Sequence, residues 1–184
     1  MSRLFGPVAH FGYAVADIEA AMHHWTERLG IGPFLYAPRV EMPDFEYRGQ
    51  PGCPVLAIAT ASSGPIEIEL VQPLDDSPSA YLDFVRRNGS GQQHIGFHTT
   101  TMDEHLKLVA ARGWTILMQS TSGGARSIHF DTAGDFAGTV VQLSETTPAK
   151  LRKGALQAEL AATWDGTDPI RLRSSIPGAS GGLR

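Results

Sequence analysis

Residues 91–113 read GQQHIGFHTTTMDEHLKLVAARG, and residues 8–30 read VAHFGYAVADIEAAMHHWTERLG. Each stretch sets a histidine ahead of an aromatic-and-glycine strand, then an acidic turn, then an amphipathic segment ending at glycine. His10 lies twenty residues before Gly30, and His94 nineteen before Gly113. In the first copy Asp17 precedes apolar residues at Ile18, Met22, Trp25 and Leu29, spacings of three and four that place one buried stripe on a capped helix. Gly30 ends it. The order repeats beyond these stretches. Strands are expected over 32–42, 55–61 and 66–72 after the first helix, and over 115–119, 126–131 and 138–144 after the second. The chain is therefore a duplication, an α+β protein of two tandem βαβββ modules whose sheets form a concave surface around a central cavity.

The boundaries follow from this order. Residues 1–75 form the first module, 76–91 a bridging helix opened by Ser77-Pro78, and 92–146 the second module. Residues 147–184 form a C-terminal helix and a flexible, Gly/Ser/Pro-rich tail. The segment PDFEYRGQPGCP at 43–54 reads as a loop. The chain has 184 residues, a formal net charge of −4 and one cysteine, Cys53. An internal disulfide is impossible. No basic excess points to nucleic acid, and no apolar run reaches the roughly 20 residues of a membrane helix. The N-terminus lacks the layout of a signal peptide, so a cytoplasmic protein without membrane or nucleic-acid partners is expected.

Alternate residues of a strand share a face. His10 shares one with Gly12 and Ala14, and His94 with Gly96, so small neighbours leave room above each imidazole. The last strand of the first module carries Glu67 and Glu69; that of the second carries Gln142. Under pseudo-twofold packing His10, Glu69, His94 and Gln142 converge. Imidazoles, a carboxylate and an amide oxygen suit one divalent metal ion: Zn, Ni, Co, Mn or Fe. A lone strand histidine is more often a hydrogen-bonded core residue, and the repeat is what raises these two above it. His129 either lines the same cavity or is an ordinary strand histidine. His23, His24 and His105 lack such a repeat and read as surface or half-buried residues.

HFGYAVADIEAAMHHWTERLGIGPF (10–34) resembles the vicinal oxygen chelate superfamily of glyoxalases, bleomycin resistance proteins and extradiol dioxygenases. IELVQPLDDSPSAYLDFVRRNGSGQQHIGFHT (68–99) is similar, more narrowly, to methylmalonyl-CoA epimerase-like members. The resemblance spans Val8 to Ser144. It places metal ligands on the same four residues, with Gln142 standing where the superfamily commonly has glutamate. It implies a metal-dependent isomerase, lyase or epimerase of the glyoxalase type, acting by proton abstraction next to a metal-bound carbonyl of a small organic substrate. A homodimer is implied as well. Glu69 is then the base or a permanent ligand. Glu46, a few residues from the epimerases' second glutamate, is a candidate second acid/base. A gapless register puts Gln50 or Pro51 at that place, so one-base isomerisation, lyase or dehydration chemistry fits better. Tyr47 and Arg126 are candidates for binding an oxyanion or carboxylate. Alternatives are an Fe(II) extradiol-type dioxygenase using His10, His94 and Glu69, and a metal-free ligand-binding or resistance protein of the same fold.

Overall fold

The computed structural model describes residues 1–132 and 140–177. In chain order the elements are β1 His10–Ala14, α1 Ile18–Leu29, β2 Phe34–Glu41, β3 Phe45–Tyr47, β4 Gln50–Gly52, β5 Val55–Ser63, β6 Ile66–Pro73 and α2 Ala80–Asn88. They continue with β7 Gly91–Thr99, α3 Met102–Ala110, β8 Thr115–Ser122, β9 Ala125–Asp131, β10 Val140–Glu145, α4 Pro148–Ala162 and β11 Ile170–Leu172, followed by a short 3-10 turn at Arg173–Ser175. Positions 138 and 139, expected to begin the last module strand, lie outside the described residues.

All eleven strands join one sheet in the order β11-β2-β5-β6-β1-β7-β10-β9-β8-β3-β4. Its centre carries the duplication. β1 and β7 run antiparallel, flanked by parallel neighbours β6 and β10 respectively. The order β2-β5-β6-β1 on one side is therefore mirrored by β8-β9-β10-β7 on the other, which is the tandem βαβββ architecture.

Strand alternation sorts the two faces. On β6, Ile68 and Leu70 pack with Ile18 and Met22 of α1, whereas Glu67 and Glu69 turn to the other face. Ile18 and Met22 are almost fully buried, worth about 1.5–3 kcal/mol each. Asp17 caps the helix by accepting from the Ala20 N–H at 2.9 Å. The second module repeats the scheme. Phe97, Ile128, Phe130, Val141 and Leu143 pack under Met102 and Val109 of α3.

Two segments depart from the expectations. The stretch 43–54 is a hairpin, β3–β4, joined at Arg48-Gly49, where φ is 50° and 76°. Two consecutive left-handed residues make a tight two-residue hairpin turn. Phe45 and Tyr47 are buried with Met118, so the hairpin leaves its own module and pairs with β8 of the other. The segment after α4 is not a free tail over its described length. β11 pairs parallel with β2, Ile170 opposite Phe34. The Trp164 ring lies where a Cβ on Gly32 would stand, at 2.9 Å, and its Nε1–H donates to the Thr167 carbonyl at 2.7 Å. Residues 178–184 of the expected tail lie outside the described residues. α4, longer than the short helix expected, covers β5, with Gln157 and Thr60 buried against each other and 3.3 Å apart.

Candidate metal centre

The two strands at the middle of the sheet build the floor of the site. Across the β1–β7 junction His10 is registered with Gly96, and Gly12 with His94. Each imidazole lies over the glycine of the opposite strand. A Cβ on Gly96 would stand 1.8 Å from His10 Cε1, and one on Gly12 1.8 Å from His94 Cε1. Any side chain larger than hydrogen would fill the space of a ring.

The two Nε2 atoms face each other at 3.1 Å. Glu69, reaching in from β6, places Oε2 3.3 Å from His94 Nε2. The ligand atoms of His10, Glu69 and His94 all lie within 4.8 Å of one another. His94 Nδ1 lies 2.7 Å from Gln93 Oε1. With Nδ1–H donating there, the Nε2 lone pair points at His10. Two imidazole lone pairs at this distance repel unless a proton or a cation lies between them, and the carboxylate beside them stabilises either positive charge. Gln142 on β10 gives a second sign. Its Nε2–H donates to Ser127 Oγ at 2.6 Å, leaving Oε1 buried without a partner. A buried acceptor left so costs roughly 1–3 kcal/mol, a cost that coordination removes. The donor set of two imidazoles, a carboxylate and an amide oxygen fits a divalent ion of the Zn, Ni, Co, Mn or Fe kind. His10 Nδ1, by contrast with His94, is buried with no hydrogen-bond partner.

Electrostatics favour a neutral His10 and an ionised Glu69. Burial pushes His10 down to about 4, with the neighbouring His94 adding to the fall and Glu69 opposing it. Burial works against ionising Glu69, but the close contact with His94 and the fields of His10, His94 and Lys153 outweigh it and hold the carboxyl well below its usual range. His129 stays neutral because it is buried. Its ring packs edge-on to His94, with centroids 4.8 Å apart, and its Nε2 lies 3.3 Å from the Tyr81 hydroxyl. Burial, with Glu69 nearby, raises the Tyr81 hydroxyl well above its ordinary value, so it remains a proton donor.

Above this floor is a cavity of about 510 Å³. His10, Glu69 and Gln142 line it, and so does His129, for which the sequence left open an ordinary strand position. Glu46, Tyr47 and Arg126 do not. Glu46 is on the face of β3 opposite the buried Phe45 and Tyr47. The Tyr47 hydroxyl donates to Asp83 at 2.7 Å and accepts from Arg48. Arg126 is held by Glu145 at 2.6 Å and Asp103 at 2.8 Å, on the face of β9 opposite Ser127. Glu46 and Arg126 follow from alternation along their strands, whereas Tyr47 shares the face of cavity-lining Phe45 and has its hydroxyl engaged by Asp83 and Arg48 instead.

Other groups line the cavity that the sequence reading did not name as site residues. Glu67 and His98 sit two residues before Glu69 and four after His94 on the same strands, a signal that period-two counting contains. Tyr81 comes from α2, Lys150 and Lys153 from α4, and Arg173 from the turn after β11. Nothing local in the sequence points these toward His10. His10, Glu69, His94 and Gln142 all come from this one chain.

The chain belongs to the Glyoxalase/Bleomycin resistance protein/Dioxygenase superfamily, whose family model matches residues 9–132. Solved structures of similar fold include a hypothetical protein from Bacillus halodurans C-125, with TM-score 0.57 and 18% identity over 77% of this chain and 94% of that one. Methylmalonyl-CoA epimerase from Mycobacterium tuberculosis aligns with TM-score 0.56 and 22% identity over 82% and 94%. The Streptomyces coelicolor methylmalonyl-CoA epimerase in complex with 2-nitronate-propionyl-CoA aligns with TM-score 0.54 and 19% identity over 78% and 96%. At these identities the likeness is one of fold. No curated protein sequence matches the chain.

Proposed function

We propose that this chain is a metal-dependent enzyme of the glyoxalase type, an isomerase or lyase that removes a proton from carbon next to a carbonyl. The observation that carries the reading is the pair of Nε2 atoms 3.1 Å apart beside Glu69, over two glycines that leave room for the rings. His10, Glu69 and His94 would hold the ion, with Gln142 Oε1 as fourth ligand. Such an ion acts as a Lewis acid on a substrate carbonyl and makes the neighbouring C–H acidic.

The chain's own groups then do the rest. Glu69 is committed to the ligand cluster. Glu67 lines the same cavity outside that cluster, with Oε2 3.0 Å from Lys153 Nζ. Glu67 takes the proton, and the electron pair of the broken C–H bond moves onto the carbonyl oxygen. Lys153 beside it is placed to steady the carboxylate and to return a proton. Tyr81 and His129, both uncharged, flank the reacting carbon and exclude water.

The test begins with metal content of tag-free protein by elemental analysis. About one equivalent of a divalent metal is expected in the wild type and none in His94→Ala. Absence of metal in both, after incubation with each ion, would overturn the reading and leave a ligand-binding protein of this fold. Exchange of the α-hydrogens of 2-oxo acids in D2O then separates the carboxylates. Glu67→Gln should keep its metal and lose about a hundredfold or more of the exchange rate, whereas Glu69→Gln should lose metal. Two imidazoles and a carboxylate also meet the needs of an Fe(II) oxygenase. Iron as the native metal, with oxygen uptake in place of proton exchange, would select that second reading.

A further inference from the structure

The family model ends at residue 132, yet one wall of the cavity is built later in the chain. α4 lies across the concave face with Thr147, Lys150, Leu151, Gly154 and Ala158 toward the space, the spacing of one helical face. Among these Lys150 stands apart. It is half-buried, and its Nζ donates to the hydroxyl of buried Ser144, two residues beyond Gln142 on β10. Among the described residues no carboxylate lies within ion-pair distance of it. Lys153 differs, being paired with Glu67.

An ammonium taken partly out of water without an ion-pair partner is costly. Burial, and after it the repulsion of Lys153, lower the Lys150 ammonium from its ordinary value against the pull of Glu69, Glu67 and Glu145, none of which reaches ion-pair distance. Within the cavity Lys153 is paired with Glu67. Under the proposed function Glu69 would be committed to the ion, which leaves Lys150 without a carboxylate of its own. The remaining lining includes Leu35, Met42, Leu56, Ile58 and Met118. An apolar space of this size with one unmatched ammonium accepts a small organic anion.

The geometry points to an anion subsite at Lys150, so that the substrate is a small organic acid carrying a carboxylate distal to the carbonyl that meets the metal. Lys150 Nζ and the Ser144 hydroxyl bind that carboxylate, and the C-terminal helix thereby sets specificity. This deepens the proposed function and rests on its metal site for the placement of the carbonyl.

The test uses full-length protein loaded with Co(II), whose visible spectrum reports on the site itself. It is titrated with 2-oxo diacids of graded length and with 2-oxo monoacids of the same lengths. In wild type at least one diacid should bind about tenfold or more tightly than its monoacid partner. Lys150→Met should abolish that ratio while leaving the Co(II) spectrum and monoacid binding unchanged, and Lys150→Arg should keep most of it. A ratio of one in wild type, or an undiminished ratio in Lys150→Met, overturns the subsite with the metal reading intact. If no Co(II) spectrum develops, the metal reading fails separately. The same titrations of metal-free protein by calorimetry then decide the subsite, which requires an anion preference that Lys150→Met removes.

Discussion

A hydrogen atom in place of a methyl group decides whether each imidazole has room. His10 sits over Gly96 and His94 over Gly12, and a Cβ at either glycine would stand 1.8 Å from the ring above it. Gly96→Ala must therefore displace the His10 ring, with strain of roughly 1–3 kcal/mol. The expected result is a lower urea midpoint and at least about tenfold weaker metal binding by competition with a chelator. Unchanged metal affinity would mean that the rings are not held by these contacts. The two facing histidines, His10 and His94, were legible because the sequence presents them twice with the same neighbours. Glu46 and Arg126 fall outside the cavity for a physical reason. Reading 43–54 as a loop discarded the alternation that turns Glu46 away from Phe45 and Tyr47, and Arg126 is set opposite Ser127 by the same period. Glu67 and His98 needed only the step of two that had already selected Glu69 and His94. Lys150 and Arg173 lay beyond reach, since no local pattern says which surface a terminal helix will cover.

Among the elements, the duplicated ones obey local rules and the added ones do not. The first-module helix spans the residues its apolar spacing demands, between the Asp17 cap and left-handed Gly30. The strand at 170–172 has no such signature. It forms because β2 would otherwise be an open edge, and edges recruit partners. Trp164 fastens the approach against Gly32. Ending the chain after Thr163 should cost roughly 1–3 kcal/mol, read as a fall of several degrees in melting temperature, with metal content retained. A melting temperature that does not move would mean that this segment is a passive tail, as its composition alone indicates.

The molecule as a whole carries a pH response set by its buried imidazoles. His10 is held at about 4 in the folded protein, against 6.5 as the ordinary value. Between these values the unfolded chain binds more protons, so stability rises with pH across that window. It is fully present above about 6.5 and is lost as pH falls toward 4. The depressed carboxyl of Glu69 continues the loss below its ordinary 4.5. For His10 the difference of about 2.5 units corresponds to on the order of 3 kcal/mol. Urea unfolding of metal-free protein at pH 7 and pH 5 should show this loss, and His10→Ala should flatten it. Equal midpoints at the two pH values in wild type would show that His10 titrates normally.

The hairpin that crosses from one half to the other also imposes an order on biosynthesis. Phe45–Tyr47 leave the ribosome early, but their neighbour, β8, begins only at Thr115. The nascent first half must wait with this edge of the hairpin unpaired and with the Met118 side of Phe45 and Tyr47 uncovered. Gln142 and Lys150 arrive later still, so the pocket cannot close until α4 has been translated. A truncated translation product would therefore expose apolar surface that the finished protein hides, a ready mark for quality-control proteases.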